Sequence, residues 1–169
     1  VSHTSIAVLV RGAEKSPKLP SKHLIQPLER AMWATLPAVV GLGIDLVHIP
    51  RIEESLRAFG DAFATRLFTE REQADARAVP GREAEGFALR FAVKEATIKA
   101  LSLSDDGVNW REMEVVAGTG GACRLVLHGV ARDKARELGV ARALVCWSHE
   151  GAYAMATVAA VSDTVGSGR

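Results

Sequence analysis

The chain has 169 residues, 48% of them hydrophobic and 24% charged, with a formal net charge of +1. That length and balance fit one folded domain with an ordinary core and exclude general disorder. Near-neutral charge excludes broad, unspecific nucleic-acid binding but leaves room for a local basic patch.

Residues 1–37 read as an N-terminal extension, because Pro17, Pro20 and Pro27, with lysines scattered between them, break any continuous helix. A short helix from about Pro27 to Ala34, anchored by Met32 and Trp33, is all this stretch supports. The domain proper is expected at 38–163. Val40, Leu42, Ile44 and Leu46 alternate with Gly41, Gly43, Asp45 and Val47, the period of a strand. Asp45 then shares its face with two glycines, which would let a ligand approach the backbone.

Pro50 suits the first turn of a helix running to about Phe59 and stopping at Gly60. Thr69 with Glu72 spells a capping box and predicts a second helix that ends before Pro80-Gly81. A long helix follows from about Glu83 to Leu101. On a wheel of about 100° per residue, Phe87, Phe91 and Ile98 fall on one side and Leu89, Val93, Ala96 and Ala100 on the other. A helix apolar on two sides is sandwiched between layers.

Strands are predicted at Glu112–Ala117, Arg124–Leu127 and Ala143–Ser148, with a helix from Val130 to Leu138 closing at Gly139. A final apolar run, Ala152–Val161, pairs with Ala143–Ser148 as a hairpin, and residues 164–169 form a loose tail. Cys123 and Cys146 lie in these strand-like runs, which predicts buried free thiols in a reducing compartment. No run is long enough to span a bilayer, and the N-terminus lacks the pattern of a secretory signal, so the expected location is the cytoplasm, away from membranes. The fold class is α+β, a mainly antiparallel sheet packed on the long central helix.

Three sets of polar residues stand out against this frame. A lone carboxylate on an apolar strand, Asp45, is either capped locally or neutralised by a divalent cation. Glu95 and Lys99, four apart in the favourable order, form an ion pair on a solvated edge or belong to a site with Asp45. Arg90 and Lys94 occupy the opposite border of the helix. His149, where a strand meets a turn, is structural or functional on sequence grounds alone.

Taken in order, Gly43-Ile44-Asp45-Leu46-Val47, then Phe91-Ala92-x-Lys94-Glu95-x-x-x-Lys99, then Ser148-His149 ahead of Tyr153-Ala154, resemble the motifs of the holo-acyl-carrier-protein synthase family, the small phosphopantetheinyl transferases. The resemblance covers roughly Val39 to Val161, and the helix motif is its specific part. It implies the phosphopantetheinyl transferase fold and transfer of 4′-phosphopantetheine from coenzyme A to a serine of an apo acyl carrier protein, with adenosine 3′,5′-bisphosphate as the second product. It implies Mg²⁺ held by Asp45 and Glu95, phosphate contacts from Lys99 with Lys94 assisting, and Ser148 and His149 near the 3′-phosphate of coenzyme A. Catalysis would rest on Asp45, Glu95 and Lys99, with a metal-ordered water as base for the serine. Arg51 falls where the family receives its carrier protein, and members of this size are homotrimers with active sites between subunits.

The chain also departs from the family. Ala58, Phe59 and Ala62 stand where basic residues are usual, leaving Arg57 or Arg66 to substitute. His48 replaces an acid, Leu101-Ser102-Leu103-Ser104 replaces a glycine-containing turn, and Gly121-Ala122-Cys123 replaces a glycine-lysine-proline turn. These changes fit a divergent member serving a polyketide or other specialised carrier. Two rival readings stay open: a non-catalytic subunit that binds coenzyme A and carrier, and an unrelated nucleotide-binding domain, the latter without a glycine-rich phosphate loop of the usual kinds.

Overall fold

A computed structural model of the chain describes residues 38–103 and 107–163. The expected extension at 1–37, its short helix, and the tail at 164–169 lie outside the described residues.

β1 (Val39–His48) runs antiparallel to β5 (Tyr153–Val161), which pairs in turn with β4 (Arg142–Glu150), so the sheet order is β1-β5-β4. The expected β4–β5 hairpin is present, with Cys146 opposite Thr157 and His149 opposite Ala154. β2 (Met113–Ala117) and β3 (Cys123–Leu127) form a separate two-stranded antiparallel sheet. The architecture is α+β, with the expected single sheet divided in two.

The two faces of the three-stranded sheet differ. Inward, Ala154, Ala156, Val158 and Ala160 of β5 are buried, a row of small side chains that lets the long helix lie close. Outward, Leu42, Ile44 and Leu46 are 60%, 53% and 61% exposed, and Tyr153, Met155 and Leu144 continue the same bare apolar surface. An antiparallel sheet with one solvated face ordinarily puts polar residues there, so this face has the composition of an interface. Cys146 lies exposed on β4, not buried as expected, whereas Cys123 is half-buried; both thiols are free. Burial, then its neighbour Cys146, pushes the Cys123 thiol up to about 11.

α1 (Ile49–Phe59) has Pro50 in its first turn and ends at Gly60, whose φ of 53° suits glycine. α2 (Asp61–Leu67) follows at once. α3 (Glu70–Ala76) carries the capping box: the Glu72 N–H donates to Thr69 Oγ1 at 3.3 Å, and the Thr69 N–H donates to Glu72 Oε2 at 2.8 Å. α4 (Glu83–Leu101) matches its expected bounds and is buried on both sides, from Phe87 and Ala88 through Val93 and Ala96 to Leu101. α5 (Gly129–Glu137) returns the chain to β4.

Gly41 and Gly43 exist for packing. A Cβ on Gly43 would strike the Ala96 carbonyl oxygen, and one on Gly41 the Ala100 carbonyl oxygen. The sequence suggested that these glycines leave room for a ligand; instead they let α4 rest against the β1 backbone. That close approach brings Glu95 and Lys99 to the height of Asp45.

Candidate active site

Asp45 emerges from β1 toward α4, its side chain 16% exposed. Lys99 reaches it from the last turn of α4. The Lys99 ammonium donates to Asp45 Oδ1 at 2.6 Å and to the Ile44 carbonyl at 3.0 Å. Of the two arrangements the sequence left open, the i,i+4 pair between Glu95 and Lys99 gives way to a cross-element pair with Asp45, because the lysine stem lies over the strand. Glu95 lies one turn earlier, on the same side. Partial burial, and then the negative charge of Asp45, raise its carboxyl above the ordinary value, against the opposing pull of Lys99. Two carboxylates close enough to repel each other and only partly neutralised by one lysine form a cation-attracting centre.

Among the described residues no group of three or more His, Cys, Asp or Glu side chains could hold a metal. Asp45 and Glu95 would supply two oxygens, and the rest of an octahedral shell would come from water and substrate. That donor set suits Mg²⁺, which keeps waters and binds through one or two carboxylates plus phosphate oxygens.

A cleft of about 390 Å³ opens beside this pair, lined by Asp45, His48, Arg51, Phe63, Phe91 and Glu95 among others. β1 is an edge strand, so the cleft meets both of its alternating rows. Arg51, on the first turn of α1, is exposed at the rim. His48 packs against Tyr153 with ring centroids 5.1 Å apart. Farther along, Phe59, Ala62, Phe63 and Arg66 bound an apolar groove of about 320 Å³ in which Phe59 is 68% exposed.

Lys94 does not fit the role expected of it. Its side chain is fully buried, and its ammonium donates to Glu72 Oε2 at 3.0 Å, the Trp110 carbonyl at 2.8 Å and the Met113 carbonyl at 2.7 Å. All three donors are spent inside the protein, so none is left for a substrate phosphate. Motif position alone could not show this, since Glu72 lies 22 residues away.

Ser148 and His149 are not brought to the cleft. They sit on β4, two strands from β1, and line no part of it. His149 Nε2 lies 3.0 Å from the Arg82 guanidinium and 3.5 Å from Glu85 Oε1, while Arg82 also pairs with Glu85 at 2.6 Å. Arg82 and Glu85 escaped sequence reasoning, because the contact spans 67 residues.

Comparison with known proteins gives this geometry its context. Residues 41–158 match the model of the 4′-phosphopantetheinyl transferase superfamily. The chain is 42% identical over 125 residues to the holo-[acyl-carrier-protein] synthase of Koribacter versatilis, covering 71% of this chain and 96% of that protein. It is 43% identical over 121 residues to the synthase of Desulfovibrio desulfuricans, covering 71% and 95%. Among solved structures, the ACPS–CoA complex from Chronobacterium ammoniagenes superposes with a TM-score of 0.61 at 34% identity, covering 70% of this chain and 94% of that one. The chain belongs to the holo-[acyl-carrier-protein] synthase family of the 4′-phosphopantetheinyl transferase superfamily, and it is an enzyme of that class.

Proposed function

We propose that this chain transfers 4′-phosphopantetheine from coenzyme A to a serine hydroxyl of an apo acyl carrier protein and releases adenosine 3′,5′-bisphosphate. The observation that carries the reading is the Asp45–Lys99 contact beside Glu95, at the head of a cleft rimmed by Arg51. Bound Mg²⁺, held by Asp45 and Glu95, would neutralise charge on the diphosphate. Lys99, one hydrogen bond away from Asp45, swings its ammonium onto the phosphate oxygens as charge builds on the leaving group. Arg51 at the rim meets an acidic residue of the carrier, and Arg66 beside Phe59 and Phe63 extends that contact.

The bare apolar face of the sheet supports a homotrimer. Its Leu42, Ile44 and Leu46 row is what an obligate interface would cover. Ser148 and His149 lie away from the cleft of their own chain, which supports a site whose 3′-phosphate contacts come from a second copy. The two free thiols are compatible with a cytoplasmic setting, and among the described residues no helix is long and apolar enough to cross a membrane.

The test is the intact mass of apo carrier protein after incubation with the chain, coenzyme A and magnesium. A gain of one phosphopantetheinyl group that disappears with chelator is expected. No gain across fatty-acid and polyketide carriers, from folded protein that binds coenzyme A, would instead identify a non-catalytic binding subunit.

A further inference from the structure

The buried pair Lys94–Glu72 connects to the cleft by a continuous series of contacts. Both side chains are fully buried. Glu72 Oε2 also accepts from the Thr69 N–H at 2.8 Å, and Glu72 Oε1 accepts from the Val115 N–H at 3.0 Å. This one carboxylate therefore joins the start of α3, the backbone of β2 and the middle of α4. The ammonium lies 5.5 Å from the centre of the Phe68 ring. A buried ion pair gives little net stability over apolar side chains of equal volume. What an apolar filling could not do is bind the Trp110 carbonyl.

That carbonyl opens the short 3₁₀ turn Trp110–Glu112. The Trp110 ring lies flat on Phe91, with centroids 5.2 Å apart and planes inclined by 12°. Phe91 lines the cleft one helical turn before Glu95. The lysine thus touches the turn, the turn carries the indole, and the indole backs the aromatic wall next to Glu95.

We propose that Lys94, with Glu72, is a positioning residue that holds the Trp110–Phe91 stack and so sets the wall of the cleft against which substrate is oriented. The kinetic consequence rests on the transfer reaction proposed above; the mechanical one does not. Orientation at a reacting centre is sensitive to displacements of about 1 Å, which can cost about 100-fold in rate.

The experiment uses the full chain with Lys94→Met, which keeps length and removes the ammonium. Because that leaves Glu72 a buried unpaired charge, the charge-neutral double variant Lys94→Met/Glu72→Gln is prepared beside it, and the reading is taken on whichever unfolds cooperatively in urea. In its crystal structure the Trp110 ring is expected to have left Phe91. An unmoved stack overturns the proposal whether or not the wild type transfers anything.

In the carrier-modification assay kcat is expected to fall roughly tenfold or more, while the dissociation constant for coenzyme A stays within about twofold. Combining the change with Trp110→Leu should cost no more than the worse parent, since both act on one stack. Effects that multiply, or an unchanged kcat in a merely less stable protein, would assign Lys94 to folding alone. A wild type inactive on every carrier would defeat the proposed reaction and leave the crystallographic arm to decide this one.

Discussion

Lys99 Nζ lies 2.6 Å from Asp45 Oδ1 and 3.0 Å from the Ile44 carbonyl, so one lysine spans a strand's side chain and its backbone. The pair is only partly screened, with the lysine 48% exposed and the acid 16%. A surface pair of this kind contributes at most about 1 kcal/mol to stability. In the transfer proposed above, its value would lie in storing a cation beside a carboxylate until a more highly charged partner arrives. Asp45→Asn, Glu95→Gln and Lys99→Met should each lower kcat by about 100-fold or more, and none of the three should melt far below the wild type. Near-normal turnover in any of the three, read by carrier mass, would remove that residue from the mechanism.

Glu95 makes stability depend on pH with a definite sign. Its folded carboxyl titrates above the ordinary value of 4.5, because burial and Asp45 disfavour the charge. Between the two values the folded chain holds more protons than the unfolded one. The contribution of Glu95 to stability is therefore fully present below about pH 4.5 and is lost as pH rises through the raised value. Thermal melts should show Glu95→Gln more stable than wild type at neutral pH, with the gap closing in acid. Magnesium should raise the wild-type melting temperature at neutral pH and lose that effect as Glu95 protonates. Parallel pH profiles for the two proteins would contradict this.

Gly43→Ala tests the packing of β1 on α4. The added methyl meets the Ala96 carbonyl, which is helix backbone and cannot rotate away. Overpacking of this kind costs about 1–3 kcal/mol, with the upper end expected here. Urea denaturation should report that loss, and the displaced helix should also lower turnover. A neutral substitution would mean the strand can slide without consequence.

Much of this arrangement was legible in the residues. α4 was readable to its ends, because nineteen residues of helical periodicity follow a Pro-Gly break. The capping box at Thr69 announced α3 by a local rule that needs no tertiary context. α2 escaped notice because seven residues carry too little periodicity, and it starts directly after Gly60. Asp45, Glu95 and Lys99 were visible as candidates, but their pairing was not: it depends on how closely glycine lets the helix approach the strand. Lys94 was misread for the complementary reason. Its place in the helix motif assigned it to phosphate, and motif position cannot show that an acid from elsewhere in the chain, Glu72, closes over it.

The exposed sheet face yields a separate expectation. Ile44→Lys places a charge in the middle of the Leu42, Ile44 and Leu46 row without touching the packed side. Analytical ultracentrifugation should find the wild type trimeric and the variant dissociated, with activity lost in proportion if a second copy completes the site. A monomeric wild type with full activity would rule out the shared site.

The position of Lys99 has a consequence for handling the protein. β1 borders its sheet, and an uncovered border strand invites another chain to add itself there. Lys99 occupies the Ile44 carbonyl on that border and sets a positive charge beside it. The residue that would serve chemistry therefore also discourages strand-to-strand self-association, and any step that drew it onto phosphate would uncover that border for a moment. Preparations lacking this lysine should be more prone to clump, for a reason unrelated to the loss of turnover.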